Sequence, residues 1–176
     1  MHFANRNTDR LYLRNISPTD RDFILSEFSD QEVNQYLYDA EPFVTLKDAD
    51  ELIDFYLKQE DPKWNRWIMI RKEDEAKIGT IGFHCWYQKT GSVEVGYDMP
   101  KIYWGKGYAF EALQEVIRFA KEEMKVSEIQ ACIALENKRS ISLILRSGFQ
   151  DSGETRSLHF HDADHLHAIY KLRLDS

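Results

Sequence analysis

Two glycines, Gly105 and Gly107, flank Lys106 in the stretch YWGKGYAFEAL over residues 103–113. An ordinary loop needs one glycine at most. The residues that follow, from about 107 to 124, carry a helical pattern: Ala109, Ala112, Leu113, Val116, Ile117, Ala120 and Met124 form one continuous face. The first backbone N–H groups of a helix have no internal partner and lie at the positive end of its dipole. Glycine has no Cβ, so an anion can come close to those N–H groups. The chemistry that such a loop can do is to hold a phosphate or pyrophosphate. The same glycines could instead serve a turn that lets the helix pack tightly.

Two phosphate-loop templates fail. A Rossmann fingerprint needs a third glycine where Phe110 stands, and a Walker loop needs glycine and Ser/Thr where Pro100 and Gly107 stand. What remains is a short G-x-G loop between a strand and a helix. That strand, SVEVGYD over residues 92–98, puts Val93, Val95 and Tyr97 on one face and Glu94, Gly96 and Asp98 on the other. Further on, NKRSISLILRSGF reads as a helix capped by Asn137, with Ile141, Ile144 and Leu145 as its stripe and Gly148 as its stop. His159, His161, His165 and His167 alternate along two strands with Asp162 and Asp164 in the turn, but no cysteine or helical H-x-x-x-H spacing joins them. No metal is expected. Cys85 and Cys132 have neither metal nor disulfide spacing and are expected to be packing residues.

The elements that must position these residues follow from the rest of the chain. RLYLRNI alternates as a first strand, and Ser17, Pro18 and Asp20 open a helix running to about Phe28. QEVNQYLY predicts a second short helix. Thr45 caps a third, with Asp48 three residues on and Leu52, Ile53, Tyr56 and Leu57 as its apolar stripe. WNRWIMI, KIGTIGFHCWY and SVEVGYDM predict an antiparallel meander. EIQACIAL is a buried strand, and runs near 155–161 and 166–174 close the chain. Trp64, Trp67, Trp86 and Tyr87 are expected in the core. The reading is one α/β (α+β) domain over residues 1–176, with a mixed, mostly antiparallel sheet of about seven strands flanked by helices.

Composition narrows the function classes. The chain has 176 residues, enough for one sizeable core, with 43% hydrophobic and 30% charged residues. The net charge is -7 and no Lys/Arg block occurs, which excludes broad binding to nucleic-acid phosphates. No apolar run is long enough to span a membrane, and MHFANRNTDR is no secretory signal. A reduced, cytoplasmic protein is expected. An acidic surface also suits a cationic partner such as an amine.

Taken together, VEVGYDMPKIYWGKGYAFEAL and ENKRSISLILRSGF resemble the GNAT family of acetyl-CoA-dependent N-acetyltransferases. The likeness is greatest to the Rim-type branch, which includes the ribosomal-protein N-terminal acetyltransferases, and it runs from about residue 8 to the end. It implies a GNAT domain with acetyl-CoA as co-substrate. The CoA pyrophosphate would be bound at Trp104, Gly105, Lys106, Gly107, Tyr108 and Ala109. The wider family usually has Gln or Arg where Ile102 stands, a departure that the Rim-type branch tolerates. The resemblance also implies a catalytic glutamate on the preceding strand, which falls on Glu94, and a pantetheine contact at Asn137. The family often has a tyrosine as general acid where Ile144 stands. The Rim-type branch often has a serine matching Ser140, which would sit near the CoA sulfur. Structural roles remain beside these, as a solvent-facing strand carboxylate for Glu94, a cap for Asn137 and a local backbone bond for Ser140.

Tyr36, Tyr38 and Phe43 lie where the family builds its acceptor wall. With Asp39 and Glu41 they could form an aromatic, acidic slot for a cationic amine. The expected activity is acetyl transfer to a primary amine by direct attack in a ternary complex. The acceptor could be a protein N-terminus, a polyamine or an aminoglycoside-like amine. A non-catalytic CoA-binding module is the alternative, and a generic nucleotide-binding domain is a third reading. The chain could act as a monomer or a homodimer.

Overall fold

Alternation of apolar and polar side chains along the strands gives the sheet two dissimilar faces. The computed structural model describes residues 3–37, 41–59, 63–160 and 162–174. Its strands are β1 Arg6–Asn7, β2 Leu11–Asn15, β3 Asn65–Arg71, β4 Lys77–Tyr87, β5 Ser92–Asp98, β6 Glu128–Ala134, β7 Gln150–Phe160 and β8 Ala163–Arg173. They form one eight-stranded sheet in the order β1-β2-β3-β4-β5-β6-β8-β7. Only the β5–β6 pair is parallel. The strand beyond the expected seven is β1, whose two residues are too few to show alternation.

The helices are α1 Arg21–Ser29, α2 Gln31–Asn34, α3 Leu46–Leu57, α4 Tyr108–Phe119 and α5 Lys138–Arg146. Trp67, Met69, Ile81, Phe83, Val95 and Ile129 pack on one face of the sheet against Leu113, Val116 and Phe119 of α4. On the opposite face Ile68 joins Ile24 and Phe28 of α1 and Ala49 and Ile53 of α3. Neighbouring residues of β3 thus serve different cores, as a strand's period of two requires.

Local signals set the helix ends. Ser17 and Asp20 form a capping box on a 3-10 turn, Pro18–Asp20, that leads into α1. Thr45 and Asp48 form another on α3. The α4 helix continues through one wider π turn, Ala120–Met124, and stops at Lys125 in the left-handed conformation. α2 is shorter than QEVNQYLY suggests: Asp30 caps it by accepting from the N–H groups of Glu32 and Val33, but it ends at Asn34. Three residues expected to be buried are open to solvent: Leu57 (50% exposed), Leu145 (48%) and Tyr87 (56%). The first two lie on the rims of their stripes, whose centres are Ile53 and Ile144. Tyr87 follows a bulge in the β4–β5 register, with Cys85 at φ 47, and pairs again with Ser92 at the solvent-exposed end of β4.

Candidate active site

The site begins where the one parallel pair of strands comes apart. Ser92, Val93 and Glu94 of β5 pair with Glu128, Ile129 and Gln130 of β6, and the register stops there. Beyond it the two strands line the walls of a cleft of about 470 Å³, with Val95, Gly96, Tyr97 and Asp98 on one side and Ala131, Cys132, Ile133 and Ala134 on the other. Backbone groups of β5 that a neighbouring strand would otherwise engage are left facing the cleft.

At one end of the cleft stands the G-x-G loop. Gly105 has φ 73 and Gly107 has φ 82, both in the left-handed region, and Gly107 immediately precedes α4. A glycine kept for close packing has a neighbour where its Cβ would lie, as Gly82 does against Asn65 O at 2.0 Å. A Cβ on Gly105 would meet nothing within 4 Å, and one on Gly107 would meet only Arg10 Nη2 at 3.2 Å. The open side of the loop is therefore the side a ligand would take. From behind, Arg10 donates to the Lys106 carbonyl at 2.9 Å and to Glu111 Oε2 at 2.6 Å, with its guanidinium over the Tyr108 ring. Arg139 over Trp104 and Arg146 over Phe110 also line the cleft, so this end is cationic in a chain of net charge -7.

Trp104, Gly105, Gly107, Tyr108, Ala109, Asn137 and Ser140 all line the cleft. Lys106 is exposed outside the lining, with its ammonium near the Tyr103 ring. Asn137 Oδ1 accepts from the Ser140 N–H at 3.2 Å and so caps α5. The Ser140 hydroxyl meets the Tyr97 hydroxyl at 2.6 Å. Ile144 is fully buried in the core and lines no part of the cleft.

Glu94 lines the cleft at the point where the strands separate. His84 stands opposite it in register, and its ring lies on Gly96, where a Cβ would come within 2.3 Å of Nε2. Trp64 meets that ring edge-on. Gly96 thus makes room for an imidazole beside the carboxylate. Cys132, expected to serve packing, is half-buried in the cleft wall.

The remaining wall comes from the N-terminal third. Phe28, Glu32, Val33, Tyr36 and Leu37 line it. Tyr36 reaches across to the Glu136 carbonyl at 3.5 Å, and Glu32 pairs with Lys101. Tyr38 and Asp39 lie outside the described residues. Phe43 lies behind this wall rather than in the cleft, 5.2 Å from the Phe28 ring, with its N–H donating to the Phe28 carbonyl. At the base of the wall Arg66 donates to Asp98 Oδ2 at 2.8 Å, to Thr80 Oγ1 at 2.6 Å and to the Tyr56 hydroxyl at 3.1 Å. The Glu27 carboxyl and Asp98 Oδ1 are buried together with no other hydrogen-bond partner. Burial, then the facing Asp98 carboxylate, pushes Glu27 up to about 10. Glu27 is neutral at pH 7, and its proton is available to Asp98.

Among the described residues no group of three or more His, Cys, Asp and Glu could hold a metal ion. Of the histidines, His167 is buried, His159 pairs with Asp164 at 2.9 Å, and His161 lies outside the described residues. No described helix is long and apolar enough to cross a membrane. Arg10, Arg66, His84, Tyr97 and Arg139 enter the site without having been singled out in the sequence. Gly96 was a usable signal for His84, because a glycine inside a strand marks a close approach.

Comparisons with known proteins agree with this geometry. The family model described as acetyltransferase (GNAT) domain matches residues 10–150. The chain is 34% identical over 155 residues to the uncharacterized N-acetyltransferase YoaA of Bacillus subtilis (strain 168), covering 88% of this chain and 87% of the relative. It is 31% identical over 99 residues to the [ribosomal protein uS5]-alanine N-acetyltransferase of Escherichia coli (strain K12), covering 56% and 46%. Its fold matches that of spermidine N-acetyltransferase from Vibrio cholerae, solved in complex with CoA and spermine, with a TM-score of 0.83 at 17% identity over 94% of this chain and 96% of that one.

Proposed function

The chain belongs to the GNAT acetyltransferases, and from that premise we propose that it moves an acetyl group from acetyl-CoA to a primary amine by direct attack in a ternary complex. One observation carries the reading: β5 leaves β6 at Glu94 and then runs on to the open G-x-G loop, so one cleft holds a carboxylate and an anion cradle. The loop N–H groups and the N-terminus of α4 would hold the CoA pyrophosphate, with Arg139 and Arg146 adding positive charge. The opened edge of β5 supplies N–H donors for the pantetheine arm and for the thioester oxygen as it gains charge.

A primary alkyl amine is mostly protonated at pH 7, so its proton must first be removed. Glu94 accepts it, directly or through water. The amine nitrogen then bonds to the thioester carbon and gives up its second proton to solvent, the C–S bond breaks, and the electron pair leaves on sulfur. Ser140, in the first turn of α5, offers its hydroxyl to that sulfur. Tyr36 and its neighbours on the opposite wall would guide the acceptor, and the acidic surface favours a cationic one.

The names of the relatives suggest two acceptor classes, a protein N-terminal amine and a polyamine. The test is a thiol-release assay with acetyl-CoA across short N-terminal peptides, spermidine, spermine and an aminoglycoside. Acceptor-dependent release of one thiol per acetylated amine is expected. CoA binding without release for any amine would turn the reading to a non-catalytic CoA-binding module.

A further inference from the structure

Serines in helices usually turn their hydroxyl back onto the preceding turn. Ser29 does so at the end of α1, donating to the Leu25 carbonyl at 2.6 Å, and Ser147 does so just after α5, donating to the Leu143 carbonyl at 2.9 Å. Ser140 does not. Its hydroxyl is held at 2.6 Å by the Tyr97 hydroxyl, from a residue 43 positions earlier on β5. That contact spans the opening between β5 and the β6–α5 side, and both residues line the cleft. The rest of the Tyr97 ring packs against the main core, so the phenol is fixed from behind.

The direction of the hydrogen bond follows from the two groups. Burial pushes the Tyr97 phenol far above its ordinary range, the Ser140 contact opposing only in part, so it keeps its proton at every working pH. The other acceptor within its reach is the Ser140 carbonyl at 3.4 Å, a much longer contact than the 2.6 Å to the hydroxyl. With Tyr97 donating to Ser140 Oγ, the Ser140 proton is released for a third atom in the cleft. A hydroxyl that accepts one hydrogen bond is also polarised as the donor of the next.

Resting on the acetyltransferase reading above, we propose that Tyr97 is a positioning residue that keeps the Ser140 hydroxyl off its own helix and aims its proton at the leaving sulfur. The chain Tyr97 O–H to Ser140 O–H to sulfur is one of hydrogen bonds. No O–H bond breaks: the electron pair of the C–S bond leaves with sulfur, and the thiolate takes its proton from solvent afterwards. The two hydroxyls then act as one unit.

The test is a double-mutant cycle of Tyr97→Phe, Ser140→Ala and the pair. Rates are measured in single turnovers with acetyl-CoA and a short peptide bearing a free N-terminal amine, or spermidine, whichever the thiol-release assay shows to be acetylated. Ser140→Ala is expected to slow the chemical step about 5- to 30-fold and Tyr97→Phe about 3- to 10-fold, on the scale of one hydrogen bond. The double variant should be no slower than Ser140→Ala alone, and the acetyl-CoA Kd should be unchanged throughout. Multiplying effects, or a Tyr97→Phe variant at the wild-type rate beside a slowed Ser140→Ala, would overturn the proposal while leaving the acetyltransferase reading in place. A Tyr97→Phe variant that loses melting temperature but not rate would make Tyr97 a packing residue. Should Ser140→Ala react at the wild-type rate while Glu94→Gln does not, the role of Ser140 itself fails.

Discussion

The two walls of the cleft are built on different principles. The wall formed by the loop, α4 and α5 uses backbone: two left-handed glycines, a helix N-terminus and an asparagine cap, all within short stretches of sequence. The wall formed by α1 and α2 uses side chains drawn from distant segments, with Arg66 of β3, Asp98 of β5 and Glu27 of α1 meeting behind it. A backbone cradle serves a ligand part that never varies, and its geometry restricts the residue types that can form it. A side-chain wall can be changed one residue at a time. On the proposed function, cofactor recognition and acceptor choice would thereby be separated, and variants on each side should fail differently.

Glu94 stands between the two walls and should give the largest effect. Glu94→Gln keeps the shape and removes the proposed base, so kcat should fall about 10²- to 10⁴-fold. The KM for acetyl-CoA should hardly move, because Glu94 stands where β5 leaves β6 and not in the loop itself. The acidic limb of the pH–rate profile should flatten in the variant. Wild-type turnover at pH 7 would leave Glu94 an ordinary strand residue and the cleft without its base.

On the loop side, Gly107→Val should weaken acetyl-CoA binding at least about tenfold, or ~1.4 kcal/mol, in calorimetry. Its branches must adopt a φ of 82 and press on Arg10 Nη2, which braces the loop through the Lys106 carbonyl. Gly105→Ala sharpens the comparison. Its Cβ meets no protein atom within 4 Å, but a φ of 73 strains any side chain, so a loss of affinity at an unchanged melting temperature reports on the approach of the ligand, and a loss with a lowered one reports on the backbone. Unchanged affinity in both variants would return the glycines to a purely conformational role.

The same division explains what could be read from the sequence. Gly105, Gly107 and Asn137 are recognisable because each sits at a fixed offset from a helix start, where the backbone dictates the residue type, while Ser140 is recognisable only through the family resemblance. The meander and the long helices were legible from their periods. Tyr97 and Ser140 are 43 residues apart, and no local rule joins them. Arg66, Asp98 and Glu27 read individually as surface charges, and only the tertiary fold buries them together. The left-handed turn at Cys85 has no signal in the sequence, because it falls at the bulge and on no permissive residue type. Phe43 packs against the α1–α3 core and not into the cleft, and which side of its segment faces the cleft depends on how α1 and α3 pack.

The smallest effect should come from Glu27, and it tests the side-chain wall alone. Its carboxyl is neutral in the folded protein, held up to about 10 by burial and then by the facing Asp98 carboxylate. In the unfolded chain it titrates near the ordinary value of about 4.3. Between those values the folded state binds a proton that the unfolded state has lost. The contribution is therefore full below the unfolded value and drains away as pH rises toward the folded one. From pH 7 to 8 the loss is at most about 1.4 kcal/mol. Glu27→Gln keeps a donor facing Asp98 and cannot ionise, so its melting temperature should fall less steeply with pH than that of the wild type. Thermal melts of both proteins at pH 6, 7 and 8 measure the gap. Parallel curves would mean that Glu27 is ionised beside Asp98, and that Arg66 carries two carboxylates instead of one. Affinity for acetyl-CoA should be the same in both proteins, because nothing on the loop side touches Glu27. A fall in affinity would show that the two walls are not independent.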